Sequence, residues 1–342
     1  MFKKIIVPLD GSMLAEKALP YAVRLATRLD AQLFLVRSVE VPLLVTNAHR
    51  AEQELTQEAE DYLNRVTRWI SSRTLKPNME AARIHTSVFK GDPAKEICFF
   101  VNNLEIDLVI MTTHGRGGFS RLVTGSVAGK ILHQLTAPVM LIRPFGQKSS
   151  QLLAETFSGV GEPYGNRFEA EDSRVLLTLD GSALSEAAIK PACELALKLK
   201  AELHLLKINY EEAPVMYGDM IGMGYINARI YQDDPENEMV ATAYLLKIAR
   251  KLAEKNLKPV ITVKTGNNIA EQIVKYACEI QADTIVMATH APSELGWFLT
   301  GSMAEQVMRL SHLPVLMLPV HGLVPSHSEG NKEAEENLTP VG

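Results

Sequence analysis

The stretch Ile5-Ile-Val-Pro-Leu-Asp-Gly-Ser12 returns in the second half of the chain as Val175-Leu-Leu-Thr-Leu-Asp-Gly-Ser182, 170 positions further on. In each copy a short aliphatic run leads directly into Asp-Gly-Ser. This order is typical of a buried strand that ends in a turn, after which the serine caps the N-terminus of a helix. The repeated stretch therefore predicts that each half begins with a strand and then a helix.

Two further motifs repeat later in each half. Thr113-His114 and Thr124-Gly125-Ser126 return as Thr289-His290 and Thr300-Gly301-Ser302, 176 positions further on. The offset changes by only about six residues between the two ends of the repeat, and self-similarity of this kind indicates a duplicated domain. A feature kept in one half and lost in the other then becomes a functional clue.

Length and charge limit the classes of function. A chain of 342 residues is long enough for two domains of about 150 residues, each with its own core. The net charge is −5, from 35 basic and 40 acidic side chains. Because this balance provides no basic surface for a phosphate backbone, the composition argues against nucleic acid as a partner.

The cysteines and the apolar runs predict a soluble cytoplasmic protein. Cys98, Cys193 and Cys278 each stand alone in an apolar helical stretch, which predicts buried thiols in a reducing compartment and neither disulfides nor a zinc site. The apolar run at the start is too short for a signal peptide. No stretch approaches the roughly 20 apolar residues of a membrane span, so we expect no membrane association.

Each half alternates aliphatic runs with amphipathic stretches, which predicts an α/β class with parallel strands joined by crossover helices. We expect two tandem doubly wound domains, each with a five-stranded parallel sheet and helices on both faces. The predicted strands are Lys4–Leu9, Gln32–Arg37, Arg83–Val88, Asp107–Thr112, Val139–Ile142, Arg174–Leu179, Glu202–Lys207, Val260–Lys264, Asp283–Ala288 and Val315–Leu318. The predicted helices of the first half are Leu14–Arg28, Glu52–Ser72, Ala94–Asn103 and Val127–Gln134.

The segments between these elements predict the domain boundaries. We expect a first domain at 1–145, a linker at 146–172 with scattered glycines and no periodicity, a second domain at 173–322, and a disordered polar tail at 323–342. A second irregular stretch contains Met216, Met220 and Met223. Two interpretations of it stay open: a mobile crossover loop, or an adaptable apolar lid.

The stretch from Thr112 to Val127 is the strongest candidate for a binding site, because it follows a buried strand, is rich in glycine and leads into a helix. Ligands of open α/β sheets bind beyond the carboxyl ends of the strands, and a helix N-terminus attracts anions. Arg116 and Arg121 offer positive charge, and Asp10 lies at the same edge of the sheet, where it can accept hydrogen bonds from ribose or a base. In the alternative interpretation the glycines only permit a tight loop and Asp10 caps its helix; geometry alone leaves both open.

Both halves resemble universal stress protein domains, and the whole chain resembles the tandem form of that family. The family's nucleotide signature is Gly-x2-Gly-x9-Gly-Ser/Thr after the fourth strand, with an Asp after the first strand. Gly115, nine intervening residues and then Gly125-Ser126 match this signature, whereas Thr112 stands where the first glycine belongs. Asp10 matches the acidic position and Pro8 precedes it as expected. The family contains both nucleotide binders and members that bind none.

The resemblance implies an adenine nucleotide alpha hydrolase-like fold and a site for ATP, ADP or AMP, with Mg²⁺ beside the phosphates. It places Pro8 and Asp10 by the adenine and ribose, and Ser38 near the adenine. The loop and the helix after it would surround the ribose and phosphates through Gly115, Arg116, Gly118, Gly125, Ser126 and Val127. It also implies an internal pseudo-dimer in which the fifth strands of the two halves lie close together, and it leaves a further homodimer open.

The second half departs from this signature. The positions of Gly115, Arg116, Gly118 and Arg121 hold Ala291, Pro292, Glu294 and Trp297 in the second half. The proline removes a backbone donor and the glutamate places negative charge where phosphate would lie. We therefore expect the second domain to bind triphosphate weakly or not at all, and either to pack against the first domain or to hold a more apolar ligand.

No motif predicts an enzyme. Gly125-Ser-Val-Ala-Gly-Lys130 has one residue too few for a P-loop, so we interpret it as the interior of a helix. No general base is evident, so any ATP hydrolysis is expected to be slow and incidental. The leading hypothesis is a cytoplasmic tandem universal stress protein that binds an adenine nucleotide in its first domain and acts as a stress-response sensor or interaction module. The alternative is a nucleotide-free scaffold.

Overall fold

In the computed structural model each half of the chain forms five parallel strands, as the aliphatic runs predict. The structure describes residues 2–40, 47–73, 83–113, 126–143, 173–210, 235–290 and 303–320. The strands are β1 Lys4–Pro8, β2 Gln32–Val39, β3 Ile84–Lys90, β4 Leu108–Thr112, β5 Val139–Ile142, β6 Arg174–Thr178, β7 Glu202–Tyr210, β8 Val260–Gly266, β9 Thr284–His290 and β10 Val315–Val320. The predicted linker, the predicted tail and the methionine-rich stretch lie outside the described residues.

The helices lie in the crossover connections between these strands. In chain order they are α1 Met13–Glu16, α2 Leu19–Leu29, α3 Ala48–Arg73, α4 Pro93–Asn103, α5 Ser126–Gln134, α6 Ala183–Glu186, α7 Ile189–Leu199, α8 Pro235–Ala253, α9 Ile269–Glu279 and α10 Met303–Leu310. Most bounds agree with the sequence pattern to within a few residues. The described part of the chain is therefore α/β throughout, with the two halves built alike.

One helix prediction is wrong. The pattern predicts a single helix from Leu14 to Arg28, but the structure has two helices, α1 and α2, with a break between them. The reason is Pro20, which cannot donate an N–H to the carbonyl of Glu16 and whose ring would collide with it. The chain ends α1 with hydrogen bonds that span three residues instead of four, such as Lys17 N–H to the Leu14 carbonyl at 3.2 Å. The next helix, α2, then begins with proline in its first turn.

The two halves share one ten-stranded sheet in the order β3-β2-β1-β4-β5-β10-β9-β6-β7-β8. The fifth strands of the two halves, β5 and β10, join it as an antiparallel pair in which Leu316 lies opposite Met140. Both of these side chains are fully buried. The fifth strands therefore lie together as the resemblance implies, and each half covers the edge that the other would otherwise expose.

Two apolar layers cover the two faces of this sheet. The helices α2, α3, α7 and α8 pack on one face, and α4, α5, α9 and α10 pack on the other. Both layers contain residues from both halves. On the first face the Arg28 guanidinium of α2 also donates to the Leu199 carbonyl at the end of α7, with Nη2 to O at 2.7 Å. The halves are thus joined by side-chain packing as well as by strand pairing.

The prediction of three buried thiols is right for two cysteines and wrong for one. Cys98 and Cys193 are buried, whereas Cys278 is exposed. Cys278 lies in the last turn of α9, one residue beyond Ala277, so it turns to the solvent side while Tyr276 and Ala277 face the sheet.

In the described part of the chain no helix combines the length and the apolar character needed to cross a membrane.

Candidate functional site

The candidate site lies where the strand order of the first half reverses. β1 pairs with β2 on one side, through Ile6 and Phe34, and with β4 on the other, through Ile5 and Leu108. The helices that follow β1 and β4 therefore leave the sheet in opposite directions. This opens a crevice at the carboxyl ends of the two strands, which is where ligands of open α/β sheets bind.

Asp10 shapes the turn on one side of this crevice. One of its carboxylate oxygens accepts a hydrogen bond from the Ser12 N–H at 2.9 Å, across Gly11 with φ of 82°. Ser12 is the N-cap of α1, because its hydroxyl oxygen accepts from the Ala15 N–H at 3.2 Å. The cap of the helix is therefore Ser12, as predicted, and the role of Asp10 is to hold the turn that presents its carboxyl group at the end of β1.

Pro8 and Ser38 lie on neighbouring strands beside this turn. Pro8 is the last residue of β1 and is half-buried beside Val36 of β2. The Ser38 hydroxyl donates to the Gly91 carbonyl at 2.7 Å, and the Gly91 N–H donates to the Val39 carbonyl at 3.0 Å. The hydroxyl of Ser38 thus ties the end of β2 to the turn after β3, which places this predicted adenine neighbour at the same edge of the sheet.

The other side of the crevice is formed by the end of β4 and the start of α5. The Thr113 N–H donates to the Ile142 carbonyl at 3.0 Å, so β4 keeps its pairing with β5 up to the point where the candidate loop begins. The helix α5 begins at Ser126, and Val127 is half-buried against the apolar layer beneath it. Because α5 returns the chain to the parallel strand β5, its N-terminus lies at the carboxyl edge of the sheet.

Lys130 lies inside α5, so the interpretation of Gly125 to Lys130 as a helix rather than a P-loop holds for the residues that the structure describes. Its ammonium forms an ion pair with Asp92, with Nζ to Oδ2 at 2.9 Å. Asp92 is also the N-cap of α4, accepting from the Lys95 N–H at 3.0 Å. The hydrogen bond from Lys130 is the main reason why the pKa of Asp92 is lowered.

Several predicted site residues lie outside the described residues, and the predictions about them stay predictions. They are Gly115, Arg116, Gly118 and Gly125, together with the side chain of Ser126 and the second-half positions Ala291, Pro292, Glu294 and Trp297. Within the described ranges no group of three or more His, Cys, Asp or Glu side chains could hold a metal ion.

A cluster of charged residues that the sequence pattern did not predict lies beneath the Asp10 turn. The Tyr62 hydroxyl of α3 donates to the Glu16 carboxylate at 3.0 Å. Burial raises the pKa of Glu16, and the Asp10 carboxylate adds to this, while the Tyr62 hydrogen bond and Arg65 oppose it. Burial and the Glu16 carboxylate in turn raise the pKa of Tyr62. Arg37 of β2 lies over the Tyr62 ring, 5.2 Å from its centroid.

The second half repeats this arrangement with different partners. The Asp180 carboxylate accepts from the Ser182 N–H at 2.8 Å, and the Lys207 ammonium donates to the Asp180 carbonyl at 2.6 Å. Burial alone would raise the pKa of Asp180, but hydrogen bonds from Ser182 and Ser185 and the charge of Lys207 lower it overall. Burial, followed by the Glu186 carboxylate, raises the pKa of Tyr244.

The missed cluster had a signal in the sequence. Glu16 and Glu186 lie at matching positions of the repeat, and Tyr62 and Tyr244 lie on the matching helices α3 and α8. The duplicated chain therefore keeps a glutamate and a tyrosine in both of its diverged copies. The spacing from glutamate to tyrosine differs between the halves, however, so only the fold shows that the two groups are in contact.

Comparison with known proteins agrees with this architecture. The model of the universal stress protein family matches residues 1–143 and 173–319, one match for each half. The chain belongs to the universal stress protein family. Its tandem organisation follows from the two matches.

Some relatives match one half of the chain, and others match nearly all of it. Universal stress protein MJ0531 from Methanocaldococcus jannaschii is 29% identical over 148 residues, which are 42% of this chain and 83% of the relative. Universal stress protein YxiE from Bacillus subtilis is 26% identical over 148 residues, 42% of this chain and 100% of the relative. The crystal structure of a universal stress protein from Archaeoglobus fulgidus matches with a TM-score of 0.64 at 20% identity, over 93% of this chain and 98% of that one.

Proposed function

We propose that the first half of this tandem universal stress protein binds ATP, or a related adenine nucleotide such as ADP or AMP, and that the protein acts as a cytoplasmic stress-response sensor or interaction module. The observation that carries the proposal is the position of Asp10. Its carboxyl group follows β1 at the point where the strand order reverses, and α5 begins at Ser126, after β4, the strand on the other side of this reversal. A carboxylate suits ribose hydroxyls, and a helix N-terminus suits phosphate.

The residues around the crevice fit a nucleotide in their chemistry. Pro8 and Val127 supply apolar contacts, while Ser126 starts a helix whose first N–H groups have no partner within the helix. Mg²⁺ would enter with the nucleotide, bound mainly by phosphate oxygens and water. We assign no general base, so the protein is proposed as a binding protein, with ATP hydrolysis slow at most.

The second half supports the proposal by contrast. The sequence beyond β9 contains Pro292 and Glu294 in place of two loop residues that favour an anion. We therefore propose that the second half does not take triphosphate and that its role is to complete the shared sheet.

Titration calorimetry with ATP and Mg²⁺ tests the proposal. Intact protein is expected to show one saturable site. Asp10→Asn keeps an oxygen that can accept from the Ser12 N–H but loses the charge, and we expect it to weaken binding about 10-fold or more, the size typical of a lost charged hydrogen bond. The matched variant Asp180→Asn changes the same residue of the other half and is expected to leave the affinity unchanged.

Two outcomes would contradict the proposal. Absence of saturable heat with the intact protein removes nucleotide binding and favours the nucleotide-free scaffold. Loss of affinity in Asp180→Asn but not in Asp10→Asn would place the nucleotide in the second half instead.

A further inference from the structure

Arg37 and Lys207 occupy the same place in the two halves. Pro8 of β1 pairs with Val36, and Thr178 of β6 pairs with Leu206, so the next residue of β2 and of β7 is the cation in each case. Both cations face a tyrosine of the helix above: Arg37 lies 5.2 Å from the Tyr62 ring centroid, and Lys207 lies 5.9 Å from that of Tyr244. The fold thus places a cation at one position beside each Asp-Gly-Ser turn.

The two cations bind different partners. The Arg37 guanidinium pairs with the Glu58 carboxylate of α3, with Nη2 to Oε1 at 3.3 Å. The Lys207 ammonium instead reaches the Asp-Gly-Ser turn, where it donates to the Asp180 carbonyl at 2.6 Å. It lies so close to this turn that a Cβ atom on Gly181 would be 3.8 Å from Nζ.

Two differences between the halves accompany this: the cation itself, arginine in one half and lysine in the other, and the residue four positions before the tyrosine of the helix above it. Glu58 lies four residues before Tyr62 on α3, and the residue four positions before Tyr244 on α8 is Val240. Valine accepts no hydrogen bond. Since a cation at a half-buried position needs an acceptor, Lys207 uses the nearest main-chain carbonyl, which belongs to the turn.

The burial of Arg37 makes its partner more important than that of a surface ion pair. The Arg37 side chain is 7% exposed and that of Glu58 is 63% exposed. Exposed ion pairs contribute little to stability, but a largely buried guanidinium that loses its acceptor must find another one or move to solvent. Among the residues that the structure describes, Glu16, Arg65 and Asp10 also carry charge close to the Tyr62 ring, and the Glu16 carboxylate accepts from the Tyr62 hydroxyl.

We propose that Glu58 is a specificity-determining residue: it keeps the Arg37 guanidinium off the Asp10 turn, so that this cation does not compete there with a ligand, whereas Val240 lets Lys207 bind the equivalent turn of the second half. The consequence for ligand binding rests on the proposed nucleotide site of the first half. The position of each cation is a separate matter that can be observed without any nucleotide.

The variant Glu58→Val reproduces the second half's arrangement in the first half. Its affinity for ATP with Mg²⁺, measured by calorimetry, is expected to fall about fivefold, because the freed guanidinium competes with the ligand for the oxygens of the Asp10 turn. The double variant Arg37→Met with Glu58→Val removes the competing cation and is expected to regain the affinity of the unmodified protein. A loss caused only by disturbed packing of α3 would remain in the double variant.

Glu54→Val is the matched control, because Glu54 lies on the same helix and forms an exposed ion pair with Arg50 at 2.9 Å, away from the turn. It is expected to leave the affinity unchanged. Thermal unfolding of all variants shows whether each one is folded. Unchanged affinity in folded Glu58→Val, or no recovery in the double variant, would overturn the proposed effect on the ligand.

A crystal structure of Glu58→Val without nucleotide gives the second readout. We expect the guanidinium of Arg37 within hydrogen-bond distance of the Asp10 carbonyl, as Lys207 lies on Asp180. A guanidinium that stays over the Tyr62 ring overturns the inference. If the unmodified protein binds no ATP, the proposed function fails, and this structure still decides whether Glu58 controls the position of the cation.

Discussion

Asp10 and Asp180 hold the same position after the first strand of their halves, and each carboxylate accepts a hydrogen bond from the serine N–H two residues further on. Their surroundings differ because of residues on other elements. Ser185 stands where the first half has Ala15, and Lys207 stands where it has Arg37. Hydrogen bonds and charge from these groups lower the pKa of Asp180. The identical motifs therefore need not have the same ligand.

The buried carboxyl group of Glu16 leads to a prediction about pH. Its pKa is raised mainly by burial, so the folded protein binds more protons than the unfolded chain between the ordinary glutamate pKa and the raised value. The stability of the protein therefore falls as the pH rises through this window, and the loss persists above it. Glu16→Gln keeps an acceptor for the Tyr62 hydroxyl and removes the charge, so we expect it to be more stable than the unmodified protein near pH 7.

Urea unfolding of both proteins near pH 4 and near pH 7 measures this effect. The gain in the free energy of unfolding should shrink at the lower pH, where Glu16 is protonated. Glu54→Gln serves as the control. Glu54 is exposed, so charge burial does not contribute to the stability change of this variant. A gain of equal size at both pH values would show that charge burial at Glu16 is not the cause.

The capping serines provide a prediction that compares the halves. Ser12 accepts from the Ala15 N–H at 3.2 Å and Ser182 accepts from the Ser185 N–H at 3.1 Å. Replacement of either serine by alanine leaves one helix N–H group without its acceptor and is expected to cost about 1 kcal/mol of unfolding free energy. Denaturant midpoints measure both. A cost below a few tenths of a kcal/mol in either variant would mean that water replaces the cap without loss.

At the scale of elements, the ends of the helices decide the shape of the candidate site. The break between α1 and α2 comes from Pro20, and it lets α1 stand as a separate turn directly beneath Asp10. The start of α4 is held against α5 by the ion pair of Asp92 and Lys130. In the second half the N-cap of the equivalent helix α9 is Asn268, which accepts from the Glu271 N–H but carries no charge.

The two functions of Asp92 can be separated by substitution. Asp92→Asn reproduces the residue of the second half, keeps the cap and loses the ion pair with Lys130, so we expect a loss of about 0.5 kcal/mol, the size of a partly exposed pair. Asp92→Ala loses the cap as well and is expected to cost about 1 to 2 kcal/mol. Urea denaturation compares the two variants, and equal losses would mean that the cap contributes nothing here.

At the scale of the whole molecule, the antiparallel pairing of β5 and β10 turns two repeats into one sheet. The apolar layers on both faces continue from one half into the other, and Arg28 adds a contact between α2 and α7. Neither half can therefore unfold without exposing apolar surface of the other. We expect the halves to unfold together rather than as independent domains.

Differential scanning calorimetry measures this cooperativity. A single transition is expected, with the calorimetric enthalpy equal to the van't Hoff enthalpy for the whole chain. Leu316→Ala empties a fully buried position opposite Met140 and is expected to cost about 2 to 5 kcal/mol, whereas Leu310→Ala at a 41% exposed position serves as the control with a cost near 0.5 kcal/mol or less. Two separate transitions in the unmodified protein would contradict the expectation.

Part of the candidate site was predictable from the sequence because it depends on local order along the chain. Asp10 and Ser12 follow a recognisable aliphatic run, and Ser126 was predicted beside the start of α5 for the same reason. The hydrogen bond between Tyr62 and Glu16 and the ion pair between Arg37 and Glu58 were not predictable, because the partners in each pair are distant in the chain. The exposure of Cys278 was not predicted either, because an apolar stretch does not show which of its side chains face the solvent side of the helix.

The sequence alone determined the duplication, the parallel α/β class of each half and the polar turn that ends the first strand. Periodicity and turn chemistry act over a few residues, so they can be read from the order of the residues. Only the tertiary structure decided that the two sheets are one and where each buried cation finds its acceptor. These outcomes depend on groups brought together from distant elements, and the burial that makes an acceptor necessary exists only once the chain has folded.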